Sequence, residues 1–322
     1  MTRQLNVSSL AGLCLLAATL AAAQQPPTPP SAAPAVAEEP AADLLKQGQQ
    51  LLREGKHQEA LDAFRDAIAK APASSPTWAS AQLQAGVVLD LLGKYEEART
   101  HLSKAIDAAP PQDKPRARRT MAMSYAFERN CDGAEKYQAP VYESYLEAKD
   151  FFMAGEVANE LARVCLESGN PDKALTWYQR GYAAGIKEPG ITPERRDLWE
   201  FRWEHAQARI AARRGEADEA KKHVAAAKAI HDKGANPEQA QFVPYLVGYV
   251  AFYTGDYQTA LAELQKGNQN DPFILALIAQ AHEKLGNKDQ SMEYYRKALA
   301  SNAHNPTNAY ARPLAREKLG MK

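Results

Sequence analysis

The chain has 322 residues, of which 39 are basic and 39 acidic, so no global field draws it toward nucleic acid or an anionic membrane surface. Its apolar fraction of 45 % is sufficient for a continuous stacked core. The sequence contains no HExxH, CxxC or GxSxG motif, which leaves metalloprotease, dithiol and serine-hydrolase chemistry without a carrier.

In chain order, Arg3 precedes an apolar run from Leu10 to Ala23. That run is shorter than the roughly 20 residues a membrane-spanning helix needs. It ends in Ala21, Ala22, Ala23 and Gln24, a small-x-small site suited to signal peptidase. Residues 1–23 therefore read as a signal peptide, and the expectation is an exported chain, periplasmic or secreted. No stable membrane insertion is expected once the leader is cleaved. Cys14 lies mid-run after Leu13, with no small residue before it, which argues against lipid attachment. Residues 24–40 are rich in proline and alanine and lack apolar periodicity, so they read as a disordered linker. The folded part is expected from about Ala41.

Beyond it a short phrase recurs seven times. Six copies place a glycine five residues before a small residue and nine before a large apolar one: Gly55, Ala60, Phe64; Gly93, Ala98, Leu102; Gly169, Ala174, Tyr178; Gly215, Ala220, Val224; Gly255, Ala260, Leu264; Gly286, Ser291, Tyr295. A worn copy runs from Arg129 through Ala134. Glycine closes a helix in the left-handed conformation, the acidic residues that follow favour the next helix start, and the small residue lets two antiparallel helices approach. Each unit is thus a helical hairpin. Spacings between the turn positions are 38, 36, 40, 46, 40 and 31 residues, so the array is irregular.

The pattern resembles the tetratricopeptide repeat, with small residues at matching places on both helices: Gly48, Gly55, Ala60, Ala67 and Pro72 in unit one, and Gly86, Gly93, Ala98, Ala105 and Pro110 in unit two. Unit six repeats it at Gly248, Gly255, Ala260, Gly267 and Pro272. The resemblance covers roughly residues 41–305. It implies an all-α solenoid of about seven hairpins, with residues 306–322 as a C-terminal capping segment. Asn305-Pro306 and Arg312-Pro313 suggest two short helical pieces there. Thr192 and Pro193 form a strong helix start after the insert at residues 185–194, and the helix they open reads on to Arg214. A stacked array sets Cys131 and Cys165 side by side; a disulfide and a pair of buried free thiols both fit.

In such arrays the first helix of each hairpin lines a concave groove for peptides or partner helices. The groove stripe falls on Arg116, Arg119 and Met123 in unit three, and on Glu156, Asn159 and Arg163 in unit four. It falls on Arg202, His205 and Arg209 in unit five, and on Phe242, Tyr245, Tyr249 and Phe252 in unit six. Trp199, Trp203, Ala206 and Ile210 form a separate core stripe. Arginine beside aromatic residues favours protein binding. The partner-binding candidates are Arg116, Arg119, Arg163, Arg202, His205, Arg209, Phe242, Tyr245, Tyr249 and Phe252. The competing reading has the arginines solvated and the aromatics packed internally.

The Lys and Asn pattern with which some arrays of this kind clamp a carboxylate is not reproduced. His223 and His231 are eight residues apart, too far to share a metal, and neither metal nor cofactor is expected. The reading is a non-enzymatic exported scaffold for a protein or peptide of acidic character. The alternative is an accessory or regulatory subunit of an envelope enzyme or secretion complex.

Overall fold

The computed structural model describes residues 33–321. The expected signal peptide and residues 24–32 of the expected linker lie outside the described residues. Seven antiparallel hairpins follow one another: α1 (Ala33–Arg53) with α2 (His57–Lys70), α3 (Pro76–Leu91) with α4 (Tyr95–Ala108), and α5 (Lys114–Phe127) with α6 (Cys131–Glu147). Next come α7 (Phe151–Glu167) with α8 (Pro171–Gly185), and α9 (Pro193–Arg214) with α10 (Ala217–His231). After a 3-10 turn at Pro237–Gln241, α11 (Phe242–Tyr253) pairs with α12 (Tyr257–Leu264), α13 (Pro272–Lys284) pairs with α14 (Lys288–Ala298), and α15 (Pro306–Lys318) ends the chain. The fold is an all-α solenoid, as the repeat implies.

The turn chemistry is local. All six turn glycines sit at φ between +76° and +90°. The amide after Gly55 returns to the preceding helix (Lys56 N–H to Leu51 O, 2.9 Å), as does the amide after Gly93 (Lys94 N–H to Leu89 O, 2.8 Å). In the worn copy Arg129 takes the left-handed position at φ 55° and keeps the same bond, Asn130 N–H to Tyr125 O. Thr192 caps α9 by accepting from the Arg195 amide, and the helix runs to Arg214 as expected.

Packing depends on small residues facing large ones. A Cβ added at Gly48 would lie 2.5 Å from the Phe64 ring, and one at Gly86 or Gly248 would lie 2.6 Å from Leu102 or Leu264. In these three units the large residue of the second helix is therefore seated on the bare backbone of the first. Trp199 does the same between units: it is 1 % exposed, and Cβ atoms at Gly155 and Gly185 would fall 2.4 and 2.1 Å from its ring. Cys131 and Cys165 are joined by a disulfide that ties α6 to α7 across 34 residues. Ion pairs such as Lys173 with Asp132 and Glu135 bridge successive units, each adding at most about 1 kcal/mol at the surface.

Two boundaries differ from expectation. The helix α1 starts at Ala33, inside the segment that read as linker, while among the described residues the first one buried in the core is Ala41, where the folded part was expected. The alanines and glutamates of the segment are strong helix formers, and Pro40 is carried within the helix. The C-terminal pieces form one helix, with Pro313 inside α15. Tertiary packing offsets the bond that proline removes, because α15 lies against α5, α7, α13 and α14.

That last placement exceeds capping. The array curls until its end meets its beginning, and residues 301–318 occupy the concave face of hairpins two to four. Arg312, nearly fully buried, donates to the carbonyls of Leu91 (2.6 Å), Leu299 (3.0 Å) and Ser301 (3.1 Å). His304 pairs with the buried Asp90 at 2.8 Å, and Asp90 also accepts from Ser124 at 2.7 Å. His57 bonds Asn302 at 2.8 Å, and the Tyr310 ring packs on Phe273 with Arg129 above it.

Gly185→Ala forces a methyl group into the Trp199 ring. The change is expected to destabilise the protein by about 1–3 kcal/mol despite the better helix propensity of alanine. Urea unfolding measures it, and an unchanged midpoint contradicts the seat assigned to Trp199.

Candidate functional site

The face of α7 carries Glu156, Asn159, Glu160 and Arg163 at i, i+3, i+4 and i+7, so the four stand together. Opposite, α9 presents Arg202, His205 and Arg209, and the first turn of α11 presents Phe242 and Tyr245. Between them lies a cleft of about 720 Å³, which Arg119 also lines and to which Tyr178, Asp271 and Pro306 contribute. Seven of the ten expected residues therefore line one cleft: Arg119, Arg163, Arg202, His205, Arg209, Phe242 and Tyr245. The register in unit five holds, and Trp199, Ala206 and Ile210 are buried on the other side of α9.

Three residues do not belong to it. Arg116 is exposed and lines an adjoining hollow of about 250 Å³ with Met123 and His304, and Arg119 and Glu160 line both spaces. Tyr249 is fully buried: its ring stacks on Phe273, its hydroxyl donates to Glu167 at 3.2 Å, and α13 covers it. Phe252 turns to its own hairpin, packing on Tyr253 and Tyr257 within the core. The helix α11 is apolar all round because it is enclosed on most sides, and only its first turn reaches the cleft.

The expected basic character also changes. Arg119 forms a two-pronged bond to Glu160, through Nε at 3.2 Å and Nη2 at 2.8 Å. Arg202 pairs with Glu156, and Arg213 pairs with Glu167 at 2.8 Å. These arginines are half-buried and paired rather than free; α7 supplies a carboxylate to each. Arg163 and Arg209 differ. Arg209 is 5 % exposed and donates to the Tyr178 hydroxyl at 2.7 Å, while Arg163 reaches the Tyr245 hydroxyl at 3.4 Å and lies over the Phe273 ring. The opposing rows are thus partly neutralised, and the charge that remains sits deep.

Sequence reasoning missed Tyr178, Phe201, Asp271 and Pro306. Tyr178 occupies the large-residue position of a second helix, and the only sign of another use was a hydroxyl where leucine would suffice. Pro306 enters through the long-range closure, which leaves no local signature.

Sequence models of the tetratricopeptide repeat match residues 45–113, 156–180 and 274–305. The chain carries tetratricopeptide repeats. Among curated proteins no sequence matches it. Among solved structures, the aspartyl phosphate phosphatase F of Bacillus subtilis is similar with a TM-score of 0.57 at 11 % identity, over 83 % of this chain and 71 % of that one. The apo form of RapI is similar with a TM-score of 0.54 at 14 % identity, over 87 % and 98 %. A tetratricopeptide repeat protein from Parabacteroides merdae ATCC 43184 matches at 13 % identity over 88 % and 98 %, with a TM-score of 0.49. At these identities the likeness is one of fold. Among the described residues no helix is long and apolar enough to cross a membrane.

Within this repeat array His205 is the histidine held furthest from its ordinary protonation. Burial, reinforced by the charges of Arg209 and Arg163, holds its pKa well below the usual histidine value. The unfolded chain therefore binds more protons at this position once the pH falls below about 6.5, and stability is lost as the pH drops through that interval. His57, His101 and His282 are shifted in the same direction by burial and add to the trend. His205→Phe is expected to flatten the fall in melting temperature between pH 7 and 5; a slope identical to that of the unaltered protein contradicts the assignment.

Proposed function

We propose that the protein is an exported, non-enzymatic scaffold that holds an extended segment of a partner protein in the cleft between α7, α9 and α11. The observation that carries the reading is the division of the concave face. Residues 301–318 already fill it over hairpins two to four, which leaves hairpins four to six open to a guest. Phe242 is 40 % exposed at the rim of that opening, an unusual position for a large apolar side chain and a suitable anchor. The Arg163 and Arg209 charges give the floor a preference for acidic guests. Export rests on the N-terminal leader read from the sequence, and the disulfide agrees with it, since such bonds persist in oxidising compartments.

Two measurements test the proposal. A photo-crosslinking residue at Phe242 is expected to trap a partner that the same residue at Lys228, exposed on α10, does not; Phe242→Asp is then expected to weaken binding of that partner about tenfold or more. Equal capture at both positions contradicts the cleft as the binding surface. Sequencing the N-terminus of the protein recovered from the envelope is expected to read from Gln24, and an intact Met1 contradicts export by this leader.

A further inference from the structure

The arginines around the cleft fall into two groups. Arg119, Arg202 and Arg213 each hold a carboxylate of α7: Glu160, Glu156 and Glu167. Among the described residues Arg163 and Arg209 form no ion pair, and the partners they do have are neutral: two phenol oxygens, the His205 carbonyl and aromatic faces. Buried polar atoms are ordinarily bonded and buried charges ordinarily paired. Here Arg163 Nε, Arg209 Nη1 and His205 Nε2 are all buried without a partner, and all three residues line the same cleft.

The nearby carboxylates are engaged elsewhere. Glu167 serves Arg213 and Tyr249, and Asp271 caps α13 by accepting from the Phe273 amide at 2.8 Å. Two guanidinium groups thus share one cavity with no counter-charge in contact, and the cavity is large enough for a peptide segment. Hydrogen bonds to a charged acceptor strengthen on desolvation, so this floor discriminates strongly between an anionic guest and a neutral one.

We propose that the floor of the cleft is a binding subsite for one oxyanion, seated between Arg163 and Arg209 and supplied by the guest as a carboxylate. This rests on the reading that the cleft receives a guest. The carboxylate can come from a chain terminus or from an aspartate or glutamate side chain. Both sources stay open on geometry, because Arg119 and Glu160 line the cleft and also the adjoining hollow of Arg116, so a guest segment has room on either side of the floor.

The test uses the full mature chain and simple probes. Sodium acetate and inorganic phosphate, compared with chloride at equal ionic strength, are expected to raise the melting temperature of the unaltered protein. The rise is expected to vanish in Arg163→Gln, with the fold checked by circular dichroism. Should that variant fail to fold, Arg163→Lys keeps a point charge but loses the planar fork and is expected to lose most of the anion response. Pools of random hexapeptides then separate the sources. Free C-termini binding at least tenfold tighter than amidated ones identify the chain terminus, and amidated peptides that bind equally well but are enriched in Asp or Glu identify a side chain. Acetate and phosphate that act no differently from chloride, with hexapeptide binding indifferent to Arg163, overturn the subsite while leaving the cleft as a peptide site. A preserved anion response with no hexapeptide binding keeps the subsite and removes the peptide reading.

Discussion

The rest of the structure depends on the return of residues 301–318 to the concave face of the early hairpins. Arg312 is the centre of that contact, donating at once to the end of α3 through Leu91 and to its own approach loop through Leu299 and Ser301. Burial and the charge of Arg316 bring its pKa down to about 10, still high enough for the guanidinium to remain a cation at neutral pH. The contact joins backbone carbonyls from opposite ends of the chain, so it fixes the curl of the solenoid. An open-ended array has two exposed apolar ends and a continuous groove. Here the last helix packs against the final hairpin, fills part of the groove and leaves the cleft between α7, α9 and α11 open.

The cleft takes its character from how charge is distributed rather than from how much there is. Its acidic row on α7 matches its basic row on α9, and paired groups of this kind hold neighbouring hairpins in register with little net field. The Arg163 and Arg209 charges escape that cancellation because aromatic rings and phenol oxygens surround them instead of carboxylates. A deep, unmatched charge beneath a neutralised rim is a selective arrangement: a guest meets little long-range attraction and is judged on contact.

What could be read from the sequence was whatever is decided within a few residues. Gly55, Gly93 and the other turn glycines, the Thr192-Pro193 start and the Trp199 core stripe all express local backbone or helical-face rules, and the structure agrees with each. The side on which Arg202, His205 and Arg209 stand followed from the same periodicity. The partners of those side chains did not, because Glu156 lies 46 residues from Arg202 and only the stacking of units four and five brings them together. Tyr249 and Phe252 failed for a related reason: helical periodicity places a residue on a face, and only the curl of the array says whether that face is covered. Closure through Arg312 spans 221 residues and was beyond any local rule.

The central claim, that the C-terminal segment is docked on the early hairpins, is tested most directly by a distance. Lys56 follows the first turn glycine and Ala303 precedes α15; both are exposed, and their neighbours His57 and Asn302 are in direct contact. Spin labels at these two positions, measured by pulsed electron resonance in solution, should give one narrow distribution at short distance. A broad or long distribution would show an open solenoid and contradict the account.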